Sequence, residues 1–153
     1  MKNIMILLFV AAVVTACSTR KNDTEGDDKT ENTSVVTKEN STPEYITTAS
    51  GLQYKILRAA EGRKPGPTSR VTVNYEGKLL DGTIFDSSYD RGKPNTFGLN
   101  EVIPGWTEGV QLMSVGSMYE FIIPPALAYG NRELPGIPAN STLKFKVELL
   151  EIK

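Results

Sequence analysis

An α+β domain is expected here, one antiparallel sheet covered by a single short helix. Two alternating segments and one helical segment point to it. Leu143, Phe145, Val147 and Leu149 alternate with Lys144, Lys146 and Glu148, and Val71, Val73 and Tyr75 alternate with Thr72 and Asn74. A period of two marks strands with one buried face. Trp106, Val110 and Met113 instead recur at spacings that share one face of a helix. Trp106 is the only tryptophan in 153 residues. A large ring at the mouth of a short helix either plugs a core or floors an apolar pocket, and the residue type alone leaves both open.

Taken in order, Leu52, Tyr54 and Ile56 alternate with Gln53 and Lys55, which makes residues 52–57 a strand. Gly62, Pro65, Gly66 and Pro67 make 61–68 a loop. The strand through Tyr75 runs towards Leu79 and meets Asp81-Gly82, a hairpin signal, so 83–86 is the return strand. Residues 87–94 are a polar excursion, and Phe97 and Leu99 precede Asn100. Pro104 and Gly105 end an extended run, Trp106 opens the helix, and Val115-Gly116 closes it. Residues 117–123 are strand again, with Tyr119, Phe121 and Ile123 on one face. Pro124-Pro125 stops it, because proline has no N–H for the ladder. Residues 126–129 form one helical turn, and 130–141 are a loop around Pro135-Gly136-Ile137-Pro138. The alternating segment from Leu143 completes the sheet.

The chain begins differently. Lys2 precedes an unbroken apolar run, residues 4–14, too short to span a bilayer but suited to a signal-peptide core. Thr15-Ala16-Cys17 follows directly and resembles the lipobox of bacterial lipoproteins, in which the cysteine is lipidated. Cys17 is the only cysteine, so it has no disulfide partner within the chain. Residues 1–17 therefore read as a lipoprotein signal peptide. Residues 18–50 hold few large apolar side chains, Val35, Val36, Tyr45 and Ile46, and read as a flexible polar tether. Residues 51–153 form the domain, with every aromatic residue except Phe9 and Tyr45. The formal net charge is −1 and no basic stripe points to nucleic acid. With no histidine and no second cysteine, Ser-His-Asp and Cys-His nucleophiles and histidine-based zinc sites are excluded. No glycine-rich phosphate loop is present.

Val73-Asn74-Tyr75-Glu76-Gly77, Asp81-Gly82-Thr83-Ile84-Phe85-Asp86-Ser87-Ser88, Val102-Ile103-Pro104-Gly105-Trp106-Thr107-Glu108-Gly109 and Ala128-Tyr129-Gly130 are the segments that resemble the FKBP-type peptidyl-prolyl isomerases, together with the closing strand from Leu143. The resemblance covers residues 51–153 in order. It implies a twisted antiparallel sheet wrapped around one short helix, with an apolar pocket between them that receives a proline ring. The pocket walls it implies are Tyr75, Phe85, Val102, Ile103, Trp106, Tyr129, Ile137 and Phe145, with Phe97 nearby and Asp86 at the rim. Two departures bear on ligand preference: Asn95, where many members carry an aromatic or aliphatic residue, and a slightly shorter loop at 131–141.

The chemistry so implied needs no nucleophile, metal or cofactor. Twisting an Xaa-Pro amide breaks resonance, at roughly 18–20 kcal/mol, and an apolar pocket favours the less polar twisted state over the planar amide. The resemblance implies that Trp106, Phe85, Val102 and Phe145 hold the proline ring, and that the Ile103 N–H and the Tyr129 hydroxyl anchor substrate carbonyls. Asp86 either polarises the twisted carbonyl or organises Tyr75 and the rim. The expected substrates are proline-containing polypeptides, and the resemblance also admits macrolides such as tacrolimus as ligands. The whole reads as a monomeric isomerase that speeds folding of exported envelope proteins, held by its lipid on the periplasmic face of the outer membrane. A non-catalytic prolyl-peptide-binding module or chaperone of the same fold is the rival reading. A purely structural envelope lipoprotein would leave the pocket residues unexplained.

Overall fold

The structure, a computed structural model, describes residues 44–153. The expected signal segment, Cys17 and the tether up to residue 43 lie outside the described residues.

Seven strands form one antiparallel sheet: β1 (Ile46–Thr47), β2 (Gln53–Arg58), β3 (Arg70–Leu79), β4 (Ile84–Ser87), β5 (Asn95–Gly98), β6 (Met118–Ile123) and β7 (Leu143–Ile152). The spatial order is β1-β2-β6-β7-β3-β4, and β5 shares the free edge of β3 with β4. The alternation read from sequence is the alternation of burial. Val71, Val73 and Tyr75 of β3, Tyr119, Phe121 and Ile123 of β6, and Leu143, Phe145, Val147 and Leu149 of β7 all face the core. Register lines them up in rows: Tyr75 opposes Val147, which opposes Tyr119, and Gly77 opposes Phe145, which opposes Phe121.

Helix α1 (Pro104–Leu112) lies across this buried face. It starts at Pro104 rather than at Trp106, with Ile103 extended as the N-cap residue. Proline suits the first helical position, where its missing N–H would have no intrahelical partner and its fixed φ matches the helix. Gly105 therefore belongs to the helix rather than to the end of a strand. Gly105 and Gly109, one turn apart, face β6. A Cβ on Gly105 would come 2.5 Å from Ile123 Cγ2, and one on Gly109 would come 2.7 Å from Phe121 Cε1. The helix backbone thus rests directly on the sheet.

Two strands escaped the sequence reading. β5 has only Phe97 and buried Gly98 to mark it, and owes its conformation to pairing with residues 70–73 of β3. β1 falls inside the stretch expected to be tether. Its two residues pair with Tyr54 and Gln53, the Tyr45 hydroxyl donates to the Glu120 carboxylate, and Ser50 Oγ donates to Glu108 Oε2 at 2.6 Å. Lys55 and Lys144 lie 3.3 and 3.2 Å from the same Glu120 oxygen. Burial alone would raise the Glu120 carboxyl, but the Tyr45 hydroxyl and these lysines outweigh it and hold it below the usual carboxylate range. The one helical turn expected at 126–129 is a 3-10 turn at Pro125–Leu127.

Within residues 44–50, then, backbone pairing and side-chain hydrogen bonds reach β2, β6 and α1. A chain cut at Gly51 loses the Tyr45–Glu120 hydrogen bond, a charged-acceptor bond of the kind that contributes about 1.5–3 kcal/mol. It should melt on the order of 5–10 °C below a chain that starts at Glu44, as read by circular dichroism. Equal melting temperatures would show that residues 44–50 contribute nothing.

Candidate active site

Between α1, the inner face of β3 and β7, and the loop after β6 lies an open cavity of about 890 Å³. All ten residues named from sequence for the pocket line it: Tyr75, Phe85, Asp86, Phe97, Val102, Ile103, Trp106, Tyr129, Ile137 and Phe145. Asn95, the departure noted above, does not line it; it sits in β5 opposite Val73.

Trp106 is the floor. The first turn of α1 carries it onto the sheet, where its ring meets three others nearly edge-on. The centroids are 5.2 Å from Tyr75, 5.8 Å from Phe97 and 5.4 Å from Phe145, at interplanar angles of 89°, 87° and 86°. Phe85 meets Phe145 at 5.5 Å and 83°. Edge-to-face pairs each contribute about 0.5–1.5 kcal/mol beyond area burial, so the box is held in shape before any ligand arrives. Gly77 makes its wall possible. A Cβ there would lie 2.6 Å from Phe145 Cε1 and 2.8 Å from Phe85 Cε2, so any side chain would push both rings out of place. Trp106 is 4% exposed, and its buried indole N–H has no hydrogen-bond partner among the described residues. Plug and floor are therefore the same residue.

The rim is polar and ordered. Tyr75 donates its hydroxyl to Asp86 Oδ2 at 2.5 Å. Arg91, on the turn after β4, donates to Asp86 Oδ1 and, at 2.8 Å, to the Tyr75 hydroxyl, with its guanidinium 5.6 Å from the Tyr75 ring centroid. Burial, helped by the Asp86 hydrogen bond, pushes the Tyr75 hydroxyl up to about 12. For Asp86, burial alone would raise the carboxyl, but the bonds from Tyr75 and Arg91 outweigh it and hold it below the usual range. Asp86 is thus an anion with both oxygens engaged. Among the described residues, neither the Ile103 N–H nor the Tyr129 hydroxyl has a hydrogen-bond partner, and both residues line the mouth. Arg91, Glu101 and Arg132 were not singled out from sequence, because an arginine or glutamate in a polar loop carries no pattern until the fold gives it a neighbour. Among the described residues no group of three or more acidic or cysteine side chains is placed to hold a metal ion.

A profile of the FKBP-type peptidyl-prolyl cis-trans isomerase family matches residues 61–150. The chain belongs to this family. FKBP-type isomerase FkpA of Aeromonas hydrophila is 58% identical over 106 residues, which cover 69% of this chain and 40% of that protein. "Outer membrane protein MIP" of Legionella longbeachae is 52% identical over 114 residues, covering 74% and 49%. Among solved structures, FkpA of Escherichia coli superposes with a TM-score of 0.69 at 50% identity, covering 71% of this chain and 51% of that one. A peptidyl-prolyl isomerase of Pseudomonas syringae pv. tomato superposes with 0.68 at 35% identity, covering 74% and 84%. The chain spans less than half the length of the two curated relatives just named. Among FKBP-type domains, then, this one has its antiparallel sheet and single helix in common with solved relatives.

The Asp86 network sets a pH dependence. Its folded pKa is depressed, so its stabilisation is fully present above the unfolded aspartate value of about 3.9 and is lost as pH falls through the still lower folded value. The carboxylate is partly open to solvent, so screening limits the effect to about 0.5–1 kcal/mol. Asp86→Asn should lower the melting temperature at pH 7 by a few degrees, and the gap to wild type should narrow progressively as pH falls below about 4. A gap that stays constant down to low pH would mean that the charge is not what Tyr75 and Arg91 hold.

Proposed function

We propose that the domain catalyses cis-trans isomerisation of Xaa-Pro bonds in polypeptides. The carrying observation is the floor. A phenylalanine would plug this core without burying an unpaired indole N–H, which costs on the order of 1–3 kcal/mol. A broad ring under an open aromatic box suits a flat, apolar guest such as a pyrrolidine. Phe85, Val102, Trp106 and Phe145 enclose the proline ring, with Phe97 and Ile137 completing the walls. The free Ile103 N–H and Tyr129 hydroxyl receive substrate carbonyls on either side. Asp86, with both oxygens already engaged, organises the rim through Tyr75 and Arg91 rather than meeting the twisted carbonyl. The reaction then needs no proton transfer: water is excluded, and the less polar twisted amide is bound more tightly than the planar one.

The setting proposed for this activity is the bacterial envelope, with Cys17 lipidated and residues 18–43 spacing a monomeric domain from the periplasmic face of the outer membrane. The lipobox-like Thr15-Ala16-Cys17 supports the anchor, and the name of the Legionella longbeachae relative supports the compartment.

The test is isomerisation of a short peptide with an apolar residue before proline by the 44–153 domain, with and without tacrolimus. Acceleration that the drug blocks is expected. Trp106→Ala is a poor probe, because removing so buried a ring costs about 3–5 kcal/mol and threatens the fold itself. Tyr129→Phe keeps the fold and removes one proposed carbonyl anchor, and should lower kcat/KM on the order of tenfold. Tight binding without acceleration would make the protein a prolyl-peptide dock instead.

A further inference from the structure

Charge around the cavity mouth is unevenly matched. Three charged residues line it, Asp86, Glu101 and Arg132. Asp86 is ion-paired with Arg91. Glu101 lies 3.4 Å from Arg70 and accepts the Gly98 N–H at 3.2 Å. Arg132 takes part in no ion pair among the described residues. Its neighbour Glu133 is exposed, does not line the cavity and does not pair with it. Of these three, Arg132 alone has no ion-pair partner among the described residues.

The backbone beneath that charge is well held. The Arg132 N–H donates to the Tyr129 carbonyl at 3.1 Å. Leu134 and Ile137 exchange two N–H···O=C bonds of 2.9 Å around Pro135-Gly136, with Gly136 at φ +79° as a turn of this kind requires. The Asn140 N–H closes the loop on the Gly130 carbonyl at 2.7 Å. Leu134, Pro135 and Ile137 of this loop line the same cavity. Arg132 lines the same cavity as Phe85, Trp106 and Phe145, so a chain whose proline enters the box shares that cavity with it.

Resting on the isomerase reading above, we infer that Arg132 selects among prolyl substrates by charge, favouring an acidic side chain beside the proline. The guanidinium is exposed, so the selection is modest and salt-sensitive. Its long side chain meets an acidic partner in high dielectric, and an exposed pair of this kind gives on the order of a two- to fivefold preference.

The experiment uses peptides that differ only in Glu, Gln or Lys on either side of proline. Both kcat/KM and binding (by NMR titration) are measured at low salt and at about 1 M salt, where the Debye length is roughly 3 Å. Wild type should prefer Glu over Lys by about two- to fivefold at low salt, with Gln between. The preference should shrink at high salt, vanish in Arg132→Gln and persist in Arg132→Lys. Equal kcat/KM and equal affinity for Glu and Lys peptides, or a preference unchanged in Arg132→Gln, would overturn the inference. A Glu preference in binding with no acceleration of any peptide would uphold charge selection while sinking the isomerase reading. Failure to bind any of the peptides would overturn both.

Discussion

Helix α1 rests on the sheet so closely that at two points no side chain fits between them. Gly105 and Gly109 present bare backbone to Ile123 and Phe121 of β6. The depth of the cavity follows from that contact. Trp106 follows Gly105 directly, and with the helix seated low its ring reaches Tyr75, Phe97 and Phe145 across the buried face. A helix held off by even one methyl would lift the indole from those rings and open the floor. Overpacking of this sort typically costs about 1–3 kcal/mol. Gly77 applies the same device at the wall, where Phe85 and Phe145 occupy the space its Cβ would take.

An apolar floor and a charged rim divide the work. The rings exclude water and are already packed against one another, so little ordering is left for a ligand to impose. The rim charges are tied up mostly among themselves: Asp86 with Tyr75 and Arg91, Glu101 with Arg70 and a backbone N–H. Among the described residues the Ile103 N–H and the Tyr129 hydroxyl have no hydrogen-bond partner and Arg132 has no ion pair, which leaves them for the polypeptide of the proposed function. Such a site suits a reaction that breaks no covalent bond, in which differential binding of two rotational states of one amide supplies the rate.

The parts of the fold that could be read from sequence are those whose burial is periodic. β3, β6 and β7 each bury every second residue along most of their length, and that alternation stands in the residue types themselves. β5 and β1 could not be read in this way. Four and two residues long, they are strands only because β3 and β2 offer them an edge. Pro104 misled for a different reason, since proline ends a strand and starts a helix equally well, and Ile103 before it is extended in either case. The pocket residues were legible through their resemblance to a family rather than through pattern, because an aromatic residue in the core and one in a pocket wall look alike in sequence. Arg91 and Arg132 were illegible, since their meaning lies wholly in the side chains the loops bring beside them or fail to bring.

Because Trp106 is the only tryptophan in the chain, its fluorescence reports on the floor alone. The most direct measurement is a titration of the 44–153 domain with a short peptide containing proline, and then with the same peptide carrying alanine in its place. A saturable change in Trp106 emission with the proline peptide and none with its alanine counterpart is the expected result. Equal responses to both peptides, or none to either, would show that the aromatic box is a core with an open edge and not a site for the proline ring.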